Sequence, residues 1–328
     1  MKSYTVVCFF LLLSLILCPL VSVDKARQVF SGNITDEIEY ENAQETEPPD
    51  TVKLMFADSQ NITELSLEEY LLGVVAEEMS ASFHEEALKA QIIAAHTLLE
   101  HTKLHKTDSL GDADITDDYK THQGYLTVDE QKEKWGENYD LYSEKIRKCI
   151  DEVGNVILIY NNEPITASFH AISNGKTENA SDVWGGNYPY LVSVDSEGDT
   201  FSPKYLSEVS FTQENFKEIL TQQGVEFNDE PEKWIEKITN TETGMVKTIT
   251  ICGKEFKGTE IRKLFSLRSS TFECEFNENN IIFKVKGYGH GVGMSQYGAN
   301  YMAEQGKSYK EILAHYYQNA ELRVQNSK

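Results

Sequence analysis

Positive charge is the first thing this chain is short of. Its 328 residues carry 30 Lys and Arg against 53 Asp and Glu, a formal net charge of −23. A surface of that sign repels phosphate backbones and anionic headgroups, which argues against a nucleic acid partner or an acidic membrane face. Cysteine is also sparse: of 5 in the chain, Cys8 and Cys18 lie in the apolar N-terminal stretch, leaving Cys149, Cys252 and Cys274. No C-x-x-C pair or zinc spacing occurs, and an odd number rules out a fully paired disulfide framework. A Cys252–Cys274 bridge is one reading; small buried hydrophobes for all three is the preferred one. Phosphate cradles are missing too, with neither a G-x-G-x-x-G fingerprint nor a P-loop lysine.

The long apolar run is Tyr4–Val23, after Met1-Lys2-Ser3. About 20 such residues span a bilayer, more than the apolar part of an ordinary signal peptide. No small-x-small cleavage site follows clearly, and Leu17 is too bulky for a lipoprotein box ending at Cys18. Residues 1–23 are therefore expected to be an uncleaved single-pass membrane anchor, with a cleaved signal as the alternative, and the rest to be exported. Residues 24–50 hold Asp36, Glu37, Glu39, Glu41, Glu45, Glu47 and Asp50 with Pro48-Pro49, too few apolar groups to pack, and read as an acidic linker. The folded domain is expected over 51–325, beginning with a strand at Val52–Phe56.

Ser66 followed by Glu69 is a capping box, so a helix should open at Leu67. On its wheel Leu67, Tyr70, Leu71, Val74 and Val75 form an apolar stripe, and Glu78 falls about 20° from Leu67, inside that stripe. A carboxylate there is costly unless paired, protonated or used. A structural ion pair is the commonplace fate of such an acid. A second capping box, Ser82 with Glu85, predicts another helix through Leu98, whose Ala87, Ala90, Ala94 and Ala95 allow close helix approach. Lys89 and Gln91 are its notable polar members. Residues 101–130 read as a polar, solvated loop in which His105 and His122 are candidate metal ligands without a compact motif.

Strand patterns follow: Val156–Tyr160, a turn, then Ile165–Ala171 as a hairpin. Ser173–Glu178 and the Trp184, Tyr188, Tyr190 region suit carbohydrate binding as well as they suit an ordinary turn with core aromatics, since aromatic rings stack on sugar faces. Residues 196–250 are the least readable. A short helix at Gly258, strands after Phe272 and at Ile281–Val285, and a capped helix from Ser308 complete the pattern. Between them Gly287, Gly289, Gly291 and Gly293 alternate through a turn that presents His290, then Ser295-Gln296 at a helix start.

These blocks, in this order, resemble the stage II sporulation protein D family of lytic transglycosylases, which includes amidase enhancers. The matching stretches are Leu67–Met79 running on to Gln91, Ser173–Trp184 with Pro189-Tyr190-Leu191, Gly258–Phe272, and Gly289–Gln296. The resemblance implies an enzyme that cuts denuded peptidoglycan strands between N-acetylmuramic acid and N-acetylglucosamine, leaving a 1,6-anhydro end. Its catalytic glutamate maps to Glu78. The substrate-binding candidates are Lys89, Gln91, His170, Ser173, Lys176, Tyr190, Arg268, His290, Ser295 and Gln296. The implied fold is α+β: one β-rich catalytic domain with flanking helices around a cleft. The implied partners are peptidoglycan, a cell-wall amidase and membrane engulfment proteins at a sporulation septum. Two positions depart from the family: His96-Thr97-Leu98 replaces Arg-Thr-Tyr, and His122 stands where some members have a zinc-binding Cys. No cofactor is therefore expected, a structural zinc being the less favoured of two open readings. A glycan-binding recruiter of an amidase is the competing reading.

Overall fold

A computed structural model describes residues 51–277 and 279–325. The expected anchor (1–23) and linker (24–50) lie outside the described residues; among those described, no helix is long and apolar enough to cross a membrane. Strand β1 (Thr51–Met55) pairs antiparallel with β2 (Ile62–Ser66), which runs directly into α1 (Leu67–Glu78). Ser66 makes the junction: its hydroxyl accepts the Glu69 N–H at 3.2 Å, and the Glu69 carboxylate accepts the Ser66 N–H at 2.9 Å. Such a cap is worth about 1 kcal/mol.

Helix α2 (Glu85–Leu104) is the axis of the larger core. It opens later than the Ser82 box predicts. Ser82 Oγ instead meets Ser80 Oγ at 2.9 Å, Phe83 packs edge-on against Tyr297, and His84 Nδ1 caps the helix by accepting the Glu86 N–H at 3.2 Å. The chain then passes through β3 (Ile115–Thr116), which lies parallel to β1, and helices α3 (Val128–Trp135) and α4 (Tyr139–Val153). Next come β4 (Val156–Tyr160) and β5 (Glu163–Pro164). The expected hairpin is short, because Ser168 N–H closes a tight turn onto Thr166 O at 2.8 Å and redirects the chain. The following strand, β6 (Phe169–His170), pairs parallel with β13 (Met294–Ser295) instead.

After α5 (Ala180–Val183) the chain builds a separate lobe. It comprises β7 (Leu206–Thr212), α6 (Gln213–Thr221), β8 (Ile235–Asn240), β9 (Val246–Ile251), β10 (Lys254–Lys257), α7 (Gly258–Leu264), β11 (Phe272–Asn277) and β12 (Asn280–Lys286). Its own core is aromatic, with Phe216 stacked on Trp234 and Phe265. Entry and exit are adjacent, since β7 and β12 pair antiparallel and Gly287 N–H donates to Tyr205 O at 2.8 Å. Helices α8 (Gln296–Glu304) and α9 (Tyr309–Tyr316) return to α2, and β14 (Glu321–Val324) closes on β4.

The fold is α+β, with sheets of two or three strands each. The β-rich body with helices at its flanks is not what these residues build. The fully buried alanines of α2 let α1, α4, α8 and α9 pack around it, so helices fill the larger core. Cys149, Cys252 and Cys274 are free thiols.

Candidate functional site

Helix α1 is buried all round from Tyr70 to Ala76, beyond the stripe the wheel predicts. The added cover includes Tyr125, whose ring lies so close to Gly73 that a Cβ there would fall 2.1 Å from Tyr125 Cε2. At the helix end Glu77 is exposed and Glu78 half-buried. Glu78 Oε1 accepts the Gly124 N–H at 2.8 Å. A Cβ at residue 124 would lie 2.7 Å from Glu77 Cγ and 3.3 Å from Glu78 Oε1, so this approach depends on glycine. Gln123 fixes the loop by donating to the Tyr70 hydroxyl and, at 3.2 Å, to Ala95 O. The Gln296 side chain also lies close enough to Glu78 to favour its carboxylate. Gln296 Nε2 also donates to the fully buried Gln91 Oε1 at 3.4 Å.

Burial pushes the Glu78 carboxyl above the usual carboxylate range, and Glu77 adds to this; Gly124, Gln296 and Lys134 pull the other way. Lys134 is already engaged by Glu77 Oε2 at 3.2 Å and Ala76 O at 2.8 Å. Glu78 also sits at the negative end of the α1 dipole, which favours its neutral form. The arrangement is that of a desolvated acid with one backbone hydrogen-bond donor, the Gln296 amide close by, and no ion pair of its own among the described residues.

Of the predicted binding residues, Gln296 is brought to Glu78 and Gln91 meets Gln296. Ser295 caps α8, accepting the Gly298 N–H at 3.2 Å and donating to Asp199 Oδ1 at 2.7 Å. Asp199 Oδ2 accepts the Ser173 N–H at 2.8 Å, so one buried carboxylate ties the Ser173 loop to the start of α8. Burial raises the Asp199 carboxyl, against hydrogen bonds from Ser173, Ser295 and Ser196.

His290 Nδ1 accepts the Val292 N–H at 3.1 Å, and its ring is also hydrogen-bonded to the Phe169 backbone. Burial and Arg262 hold it neutral, with a pKa of about 4. His170 is buried beside it at 5.7 Å between ring centres, bonded through Nδ1 to Val292 O at 3.1 Å. Its pKa is pushed down to about 3 by burial first and His290 second. Both histidines brace the glycine turn. Gly289 (φ +118°) and Gly293 (φ +73°) make that turn feasible, since a Cβ would meet His170 Cβ at 2.7 Å and Ser168 O at 2.0 Å.

Arg268 lies 5.6 Å from the Tyr288 ring centre. Tyr190 sits between Tyr160 and Tyr188, its hydroxyl accepting the Thr166 N–H at 3.3 Å. Two lysines stand apart from Glu78. Lys89, about 200° around α2 from Gln91, is held by Glu86 at 2.8 Å and Glu152 at 2.6 Å. Lys176 pairs with Asp195 at 3.0 Å on the surface. His105 packs on His101 with ring centres 4.4 Å apart, and His122 adjoins Thr121. Among the described residues no three His, Cys, Asp or Glu side chains converge as a metal set.

Sequence reasoning passes over Gly124 and Asp199, and takes Glu178 only as the end of the Ser173 loop. Gly124 acts through its backbone N–H, which carries no residue-type signal. Glu178 is buried, accepts from Thr241 Oγ1 at 3.1 Å and from Thr243, and so holds the β8–β9 turn to the Gly291 loop. Polar residues spaced around Ser173 and Ser295 are the faint signal for a buried carboxylate such as Asp199.

Residues 57–160 match the family model described as stage II sporulation protein. The chain is 41% identical over 278 residues to stage II sporulation protein D of Bacillus amyloliquefaciens, covering 84% of this chain and 79% of the relative. It is 40% identical, with the same coverage, to that of Bacillus subtilis (strain 168). A protein of the latter organism named amidase enhancer is 28% identical over 75% of this chain and 39% of its own length. With two relatives at 41% and 40% identity across most of both chains, this protein belongs to the stage II sporulation protein D family.

Proposed function

We propose that the protein is a lytic transglycosylase acting on denuded peptidoglycan strands, cutting between N-acetylmuramic acid and N-acetylglucosamine. The observation that carries this reading is Glu78: half-buried, raised in pKa, and held by Gly124, with Gln296 close by, rather than by a cation. Most glycosidases divide acid and base work between two carboxylates. An intramolecular reaction needs one. Glu78 gives its proton to the departing glycosidic oxygen as that bond breaks. The sugar's own 6-hydroxyl then closes on the anomeric carbon and returns a proton to the carboxylate, forming the anhydro ring with no net change at Glu78. Burial raises the carboxyl and so favours the protonated form that the first step uses.

The setting is the outer side of the cell membrane, held by the N-terminal anchor, with a cell-wall amidase that strips stem peptides and membrane engulfment proteins as partners. The supporting experiment incubates the chain with denuded strands and looks by mass spectrometry for anhydro-ended fragments. Their loss in Glu78→Gln with glycan binding retained supports the enzyme. Binding without such fragments from the unaltered protein supports the second reading, a recruiter of an amidase. That reading is favoured by the likeness to the amidase enhancer and by His96 in place of the family arginine.

A further inference from the structure

The last turn of a helix leaves carbonyl oxygens without intrahelical partners, and its negative pole disfavours added negative charge. At the end of α1 a single segment meets both demands. Leu126 N–H donates to Gly73 O at 3.1 Å, and Gly124 N–H donates to Glu78 Oε1 at 2.8 Å. The segment then enters α3 through its own capping box. Thr127 Oγ1 accepts the Glu130 N–H at 3.4 Å, and the Glu130 carboxylate accepts the Thr127 N–H at 2.8 Å. About two turns on, α3 brings Lys134 back to α1. Its Nζ donates to Ala76 O at 2.8 Å, to Glu77 O at 3.2 Å and to Glu77 Oε2 at 3.2 Å. All three contacts fall on the two residues just before Glu78.

We infer that Lys134 is a positioning residue for Glu78: from α3 it clasps the last turn of α1 and, paired with Glu77, balances the charge beside the acid. The inference rests on the acid role proposed above. Glu77 and Lys134 act on the Glu78 carboxyl with opposite sign, the first raising it and the second lowering it. The other charged groups around α1 do not duplicate Lys134. On α4, Arg147 pairs with Glu68 in the first turn of α1, and Lys145 donates to Ala81 O at 3.0 Å, past the helix end. Lys89 of α2 is held by Glu86 and Glu152, and Lys132 of α3 by Asp129. Burial pushes the Tyr125 hydroxyl up to about 12 and the Tyr70 hydroxyl up as well, so both stay neutral near pH 7. His122, two residues before Gly124, is pushed down by burial.

The test follows anhydro-ended products from denuded strands across pH. Alongside it, carbon NMR of the full chain labelled at its glutamate carboxyls follows Glu78, whose signal is the one missing in Glu78→Gln. Because the first step uses the protonated acid, activity falls on the alkaline side as Glu78 ionises. Lys134→Met should move that fall, and the carboxyl titration, upward by about half to one pH unit; Glu77→Gln should move both downward by a similar amount. Lys134→Arg keeps the charge and should titrate like the unaltered chain. Both shifts should shrink in about 1 M salt, since the two side chains are 43% and 46% exposed. A lysine that merely steadies the helix would lower product formation at every pH and move neither curve. That result, or shifts of the same sign, overturns the inference. If Lys134→Met does not fold, Glu77→Gln carries the test alone, and no downward shift overturns it. Failure of the cleavage reading looks different: no anhydro ends form from the unaltered chain at any pH, while the carboxyl titration still shifts in both variants.

Discussion

Replacing Glu78 by Gln separates the two consequences of burying an acid. The amide keeps an oxygen for the Gly124 N–H at 2.8 Å but cannot give up or regain a proton. Loss of a general acid costs about 10²–10⁴-fold in rate. Anhydro-ended fragments should fall by at least the lower figure. The stability effect has the opposite sign. Because burial raises the folded-state pKa, wild type bears no penalty below the unfolded carboxyl's ordinary value, where both states are protonated. As pH climbs from there to the raised value, the unfolded chain ionises first and wild-type stability falls; above the raised value the penalty is complete. Each unit of displacement amounts to about 1.4 kcal/mol. Glu78→Gln lacks this slope, so it should be more stable than wild type at pH 7 and indistinguishable near pH 3. Urea unfolding across that range measures the gap. A gap independent of pH, or a less stable variant at pH 7, would show that the carboxyl is not shielded and would remove the basis for its acid role.

Other substitutions probe the groups behind Glu78. Gly73→Ala puts a Cβ 2.1 Å from Tyr125 Cε2 and 2.8 Å from Leu126 O, so the loop carrying Gly124 must move. It should cost about 1–3 kcal/mol in urea unfolding and reduce product formation as well. Asp199→Ala strips the acceptor from the Ser295 hydroxyl and the Ser173 N–H. A loss of about 1–3 kcal/mol per stranded buried group is expected by denaturation, with a smaller loss in Asp199→Asn. Phe216→Ala empties the centre of the lobe and should cost about 3–5 kcal/mol. Hydrogen exchange should then rise across 206–286 and not in α1; equal loss in both would mean that the two cores are not separable.

Local rules written in consecutive residues were readable. The Ser66 and Ser308 boxes both form with their reciprocal bonds, because a cap needs only side chains three positions apart. The wheel put Glu78 on the inward side of α1, and it is half-buried there. What escaped depends on distant partners. Gly124 reaches Glu78 across 46 residues through a backbone group, and nothing in its neighbours marks it. Asp199 and Glu178 lie among many surface acids, and only the folded chain shows which two are buried. The lobe was missed for a related reason. Phe216, Trp234 and Phe283 come from three separated segments whose individual patterns are short and mixed.

Where the lobe leaves the larger core, Tyr205 and Gly287 already touch through a hydrogen bond. A short bridge between those two residues would span the excursion, and would remove Arg268 O, which accepts the Gly289 N–H at 2.9 Å in the glycine turn. What such a trimmed molecule would forfeit is specific: Glu178 would lose both threonine hydroxyls that solvate its carboxylate, and the flank of the glycine turn would open to water. The lobe thus screens one flank of the histidine turn, and the chain enters and leaves it through one pair of neighbouring strands.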